Sequence, residues 1–259
     1  MHDVQNEVDR RGIAVDQVGI AGLRYPVSFS DGELVQNSIA EVSVTVRLQA
    51  ERRGTHMSRM VALADEHLQS FDPRQMPQLL KAGAHELDAP AIEMTVSFPV
   101  STRVTAPASG AESFAVHDLT VAGRLDGEVC RVSTSVRTEV TSLCPCSKTI
   151  SDYGAHNQRS EVTLTVQGSG DTAYPLSVSK MVALLTTSGS APVIPLVKRP
   201  DERVLTMQAY DHPAFVEDMV RDLSTACRAR RLPHRVHVRN LESIHSHDAV
   251  AVITSSDFA

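Results

Sequence analysis

The sequence predicts an α+β protein built from two antiparallel-sheet modules, each running strand-strand-helix-helix-strand-strand. Three observations carry this expectation. Apolar residues alternate through several long stretches, as they do in a sheet with one wet face. Between those stretches they recur at three- and four-residue intervals, as they do in helices with one buried side. The order of the two periodicities in residues 1–127 then returns in residues 128–259, with little residue identity between the halves.

In the first half a short strand is expected around Val18 to Tyr25. A clearer one runs from Ser38 to Leu48, with Val42, Val44, Val46 and Leu48 on one side and Ser43, Thr45 and Arg47 on the other. Met57 to Phe71 reads as a helix that buries Met60, Leu63, Ala64 and Leu68. Asp72-Pro73 is a capping residue followed by proline at a first helical position, so a second helix should reach about Leu87. Strands follow near Ile92 to Val104 and Ser113 to Leu125, and Asp126-Gly127 marks a turn. In the second half Glu128 to Leu143 and Ser160 to Val166 read as strands, and Ser177 to Thr187 as a helix. Asp211-His212-Pro213 is expected to open a longer helix carrying Phe215, Met219, Leu223 and Cys227. Strands near His234 to Leu241 and Asp248 to Thr254 complete the pattern. Each half would lay two helices on one face of a four-stranded sheet. Such a sheet has open edges, and joining sheets in an oligomeric barrel would cover them.

The chain's 259 residues suffice for one large domain or two smaller ones. A chain of that length buries roughly three quarters of its unfolded surface and needs no disulfide staples. There is no Trp and only 4% aromatic residue, so the core must rest on aliphatic side chains and Met. A net charge of -6 argues against a general nucleic-acid or anionic-membrane binder. The polar stretch Met1 to Arg11 is not expected to be a signal peptide, and no segment has the roughly 20 apolar residues of a membrane helix. The expected location is the cytoplasm.

Cys130, Cys144, Cys146 and Cys227 are then not expected to form a disulfide framework. Cys144-Pro145-Cys146 instead suits metal or nucleophile chemistry. The string Thr141-Ser-Leu-Cys-Pro-Cys-Ser-Lys148 is followed by Gly154-Ala-His-Asn-Gln-Arg-Ser160 in a connection between two strands. A thiolate at 144 and an imidazole at 156 can reach one cation, and zinc-like ions accept that S and N pairing. The spacing matches no closed zinc finger, so an ordinary loop thiol and a surface imidazole stand as the plainer alternative. A catalytic site needs a third ligand and an open position. Glu202 and Glu217 are the candidates, and either also reads as a solvated carboxylate. His245 and His247 lie just before the last strand, where residues two apart point the same way. Either imidazole suits proton transfer near neutral pH. Gly54-Thr-His-Met-Ser-Arg59 precedes the first helix, where it either holds an anion or simply caps through Thr55 or Ser58.

These strings together resemble the GTP cyclohydrolase IB family. The matching stretches are Asp3-Val-Gln5, Gly54 to Arg59, Ser142 to Lys148, Gly154 to Ser160, Lys198-Arg-Pro-Asp-Glu202, Phe215-Val-Glu-Asp218 and Glu242 to Asp248, in the family's order along nearly the whole chain. The resemblance implies a bimodular tunnelling fold (T-fold), two ββααββ modules at 1–127 and 128–259 that assemble into barrels. It implies a homotetramer with active sites at subunit interfaces, and one divalent ion (Zn, Mn or Fe) per site held by Cys144, His156 and Glu202. Glu217 would anchor guanine. His247, or else His245, would move protons, with Cys144 in the catalytic set. Ser58, Arg59 and Lys148 would contact the triphosphate. The implied reaction is metal-dependent hydrolysis of GTP to 7,8-dihydroneopterin 3'-triphosphate and formate, at the head of folate and pterin biosynthesis. No nucleic acid and no membrane is expected as a partner. The alternatives are another T-fold enzyme, such as a pteridine synthase or nitrile reductase, and a non-catalytic metal-stabilised binding protein.

Overall fold

The computed structural model describes Gln5 and residues 7–258. Asp3 and Val4 of the opening motif lie outside the described residues. The strands are β1 (Val15–Ser30), β2 (Val35–Leu48), β3 (Ala91–Thr105), β4 (Glu112–Asp126), β5 (Val129–Leu143), β6 (Asn157–Gly168), the two-residue β7 (Ala191–Pro192), β8 (His234–Asn240) and β9 (Ala249–Thr254). The helices are α1 (Met57–Leu68), α2 (Met76–Glu86), α3 (Pro145–Ile150), α4 (Val178–Ser188), α5 (Arg199–Asp211) and α6 (Val216–Ala229). The strands form one large sheet in the order β1-β2-β3-β4-β5-β6-β8-β9, with β7 beside β5. The pairs β1/β2, β2/β3, β6/β8 and β8/β9 are antiparallel.

Compactness divides the chain into two units. The first holds residues up to Pro99, with Thr120–Thr134 and Gln167–Pro175. Its core follows from the alternation in β2: Val42, Val44 and Val46 are buried, as are Met60, Leu63 and Leu68 of α1 and Met76 and Leu80 of α2. Phe29, Phe71 and Phe98 pack as an aromatic trio with ring centroids 5.4–6.5 Å apart. The second unit holds Val100–Leu119, Ser135–Val166 and Leu176–Ala259. There Val136, Val140, Val162, Leu164, Val236 and Val238 are buried, together with Met181 and Leu185 of α4 and Met219 and Leu223 of α6, and α6 packs on β8 and β9.

Several expectations change in detail. The first strand is twice as long as its alternation suggests, because Pro26 interrupts the pattern without interrupting the ladder. β1 ends the sheet order, and a terminal strand tolerates a residue with no N–H to donate. The first helix stops at Leu68, and the second begins as a 3-10 turn over Pro73–Gln75. Asp72 caps that turn as expected, accepting the Arg74 N–H at 2.9 Å. α1 is capped by neither Thr55 nor Ser58: its cap position is His56, with no side-chain bond to the helix. Asp211-His212-Pro213 does not open a helix. Asp211 ends α5, and α6 starts at Val216 with the Asp218 carboxylate returning to the Phe215 N–H at 3.1 Å. His245 and His247 stand in a loop between β8 and β9, so strand geometry does not align them.

Candidate active site at the Cys144–His156 junction

β5 ends at Leu143, and Cys144 caps the short helix α3 in an extended conformation. Pro145 takes the first helical position, where its missing N–H costs nothing. The Cys144 Sγ accepts the Ser147 N–H at 3.4 Å. The chain turns back through Gly154, at φ +65°, and the Cys144 N–H donates to the His156 carbonyl at 3.0 Å. The His156 N–H in turn donates to Ser147 Oγ at 3.3 Å. The loop therefore closes on itself and sets the thiol-bearing and imidazole-bearing residues side by side.

The His156 imidazole is nearly buried, and its Nδ1 lies 2.8 Å from Gln158 Oε1 and 3.8 Å from Glu242 Oε2. An Nδ1–H directed at these oxygens would leave the Nε2 lone pair for a ligand. This is the outer-sphere arrangement that orients metal-binding histidines. Glu242 also accepts from Nδ1 of His245 at 3.3 Å. The His245 ring meets His156 edge-on at 5.8 Å between centroids and lies 5.4 Å from His247. The three imidazoles thus form one chain with Glu242 beneath it, and His245 stands nearer to His156.

A buried polar network sets this junction. Ser142 Oγ donates to the Ala214 carbonyl at 2.8 Å and accepts from Asn240 Nδ2 at 3.0 Å. Ser160 Oγ donates to Asn240 Oδ1 at 2.6 Å. Ser142, Ser160 and Asn240 are buried, and each bond would be expensive to leave unmade there. The network joins the end of β5, the start of β6, the end of β8 and the segment leading into α6.

Glu217, the expected guanine anchor, is exposed on the first turn of α6. Glu202 is exposed on the first turn of α5, with no side-chain partner among the described residues. α5 nevertheless docks on the junction: Ala209 and Leu205 pack against Leu143 and Ala155, the neighbours of Cys144 and His156. Glu202, Leu205 and Ala209 are spaced along one helix face. Among the described residues no three His, Cys, Asp or Glu side chains stand together as a ready metal cluster. The donors fit a borderline divalent ion in kind, since sulfur, imidazole and carboxylate come from elements that pack on one another.

Lys148 is engaged elsewhere. Its ammonium donates to the Tyr210 carbonyl at the end of α5 and lies 4.2 Å from the Tyr210 ring centroid. Ser58 and Arg59 belong to the first unit, on the first turn of α1, and Arg59 donates to the Glu86 carbonyl at 3.1 Å. Cys146 is exposed, and all four cysteines are free thiols. Gln158, Glu242, Ser142, Asn240 and Asp201 join the residues that the sequence motifs single out for the site. Gln158 lies two residues after His156 and Glu242 three before His245, a local signal that was present. The Ser142–Asn240 contact joins residues 98 apart, and local spacing carries no trace of it.

The fold matches uricase from Arthrobacter globiformis with TM-score 0.53 at 10% identity over 94% of both chains. It matches a hyperthermostable variant of urate oxidase from Bacillus sp. TB-90 with TM-score 0.51 at 8% identity, over 95% of this chain and 100% of that one. At such identities the likeness is one of fold alone. Together with the site, it defines a tunnelling-fold-like α+β chain with a thiol–imidazole junction at a strand end. The sequence profile described as type I GTP cyclohydrolase folE2 matches residues 1–251. The chain is 41% identical to GTP cyclohydrolase FolE2 of Neisseria gonorrhoeae over 253 residues, covering 97% of each. It is 40% identical to that of Paraburkholderia xenovorans over 256 residues, covering 98% of this chain and 94% of the other. The chain belongs to the type I GTP cyclohydrolase folE2 family.

Proposed function

We propose that the chain is a GTP cyclohydrolase of the IB type, converting GTP to 7,8-dihydroneopterin 3'-triphosphate and formate. Family membership over residues 1–251 supports the reaction, and the closed Cys144–His156 junction is the observation that supports the place. One divalent ion held by Cys144, His156 and Glu202 would supply a water acidic enough to lose its proton near neutral pH.

The chain's own side chains account for the rest. Glu217 accepts the N1–H and exocyclic N–H of guanine, a charge-assisted pair that an analogue without the amino group cannot make. His245 and His247 hold the proton that passes to the ring nitrogen as the imidazole opens. Glu242 accepts a hydrogen bond from His245 Nδ1–H and so leaves Nε2 of that ring for the transfer. The expectation put His247 first in this role, and the contact with His156 favours His245 as its partner in the relay. Ser58, Arg59 and Lys148 remain candidates for the triphosphate, Lys148 only if it leaves Tyr210. A homotetramer with the sites at subunit interfaces would enclose the exposed Glu202 and Glu217.

The test is direct. Purified protein incubated with GTP and manganese should release one formate per GTP and yield a pterin that fluoresces after oxidation. Chelation should stop turnover while the far-UV circular dichroism stays unchanged. No formate would refute the activity, and turnover that survives chelation would refute the ion.

A further inference from the structure

We propose that Asp201 is a positioning residue for Glu202: by gripping the tip of the β3–β4 hairpin, it sets the first turn of α5 and the carboxylate that turn offers to a divalent ion. This rests on the reading above that Glu202 is a ligand.

Asp201 has 0% of its surface exposed, and no ion-pair partner exists for it among the described residues. A buried carboxylate without a cation is expensive unless hydrogen bonds replace its water. Here all four lone-pair directions are used. Oδ1 accepts the Ala108 and Ser109 N–H groups, both at 2.8 Å. Oδ2 accepts Ser109 Oγ–H at 2.7 Å and the Lys198 N–H at 2.8 Å. A plain helix cap needs only the last of these bonds. The other three reach a loop more than ninety positions earlier in the chain, which is work a cap does not require.

That loop is itself well defined. Gly110 N–H donates to the Ala106 carbonyl at 3.1 Å, Ala106 N–H to the Ala111 carbonyl at 2.9 Å, and Gly110 takes φ +66° to close the turn. Asp201 therefore fastens the start of α5 to a rigid object. The far end of the helix is fastened independently, by Lys148 on the Tyr210 carbonyl and by Leu205 and Ala209 on Leu143 and Ala155. With both ends held, the backbone of Glu202 has one setting. It is the next residue after Asp201, and its N–H bonds the Lys198 carbonyl at 3.0 Å in the same turn. A turn of the helix that moved Asp201 would move Glu202 with it.

Asp201→Asn keeps the shape but puts an NH2 group against N–H or O–H donors on one side or the other. Ser109→Ala removes the Oγ bonds to Asp201 and to the Ala111 N–H but keeps both hairpin N–H bonds to Asp201 and changes no residue of α5, so it carries the test if Asp201→Asn fails to fold. The probe is Co2+ alone, read by the cobalt–thiolate absorption band and by chelator competition on the folded protein. Affinity should fall about 10–100-fold in Asp201→Asn, as for other outer-sphere losses, and less in Ser109→Ala. In GTP turnover, kcat at limiting metal should fall and recover at saturating metal, with KM unchanged. A residue that only stabilised the fold would lower the folded fraction and leave Co2+ affinity per folded chain unaltered. A wild-type cobalt–thiolate band with variants of wild-type affinity overturns this proposal alone. No band in the wild-type chain overturns the metal reading and this proposal with it.

Discussion

Burial decides how single histidines behave in this chain. His117 is enclosed between two hydroxyls, Thr102 Oγ1 on Nε2 and Thr138 Oγ1 on Nδ1, each at 2.8 Å. Desolvation lowers its pKa below the usual 6.5, against the opposing pull of Asp118. The folded chain therefore keeps this ring neutral at a pH where the unfolded chain takes up a proton. The stabilisation is fully present above about pH 6.5 and is lost as the pH falls from there through the folded value. Urea midpoints measured between pH 7 and pH 5 should decline, with this group contributing at most about 1.4 kcal/mol per pH unit. His117→Gln keeps a donor and an acceptor between the two threonines and removes the titration, so its decline should be shallower. Superimposable pH profiles would show that His117 does not titrate on unfolding.

At the scale of elements, the end of β5 leaves little room for change. Ser190 donates its N–H to the Thr141 carbonyl at 2.8 Å, and its Oγ accepts the Leu143 N–H at 3.0 Å. The residue before it, Gly189, passes so close to β5 that a Cβ there would lie 2.5 Å from Val140 Cγ2 and 2.8 Å from the Thr141 carbonyl oxygen. Gly189→Ala should thus cost roughly 1–3 kcal/mol by overpacking. Thermal scans would show this as a loss of about 2–4 °C per kcal/mol, and an unchanged Tm would contradict it. The same economy explains which elements the sequence disclosed. β2 and α4 bury one clean side, so Val42, Val44 and Val46, or Val178, Met181, Val182 and Leu185, print their period on the chain. α5 buries only Asp201 and Ala209, and a helix with almost no apolar side has no period to read. Without α5, the sequence places the following helix start at Asp211-His212-Pro213, where α5 in fact ends. The site divides in the same way: Cys144 and His156 stood out through their motif, whereas Asp201, Ser142 and Asn240 act through contacts that tertiary structure alone creates.

Over the whole molecule, the sheet order leaves β1 and β9 as terminal strands. Unpaired strand edges invite pairing with another chain unless charge or proline blunts them. β9 is poorly blunted: Val250 is 61% and Val252 48% exposed, on the face shared with Arg239 and His237 of β8. A chain of net charge -6 does not repel its own copies strongly enough to keep such an edge bare at ordinary ionic strength. A homotetramer, as proposed, would cover this edge and would complete sites whose Glu202 and Glu217 stand exposed in one chain. Sedimentation of the wild-type protein should give four times the 28.1 kDa chain mass. Val252→Lys places a charge on the terminal strand and should drive the assembly toward single chains. GTP turnover should fall with the tetramer fraction, because separated chains would hold incomplete sites. A wild-type protein that sediments as one chain and still releases formate would mean that each chain carries a whole site, and that the exposed carboxylates close over the substrate without a neighbour.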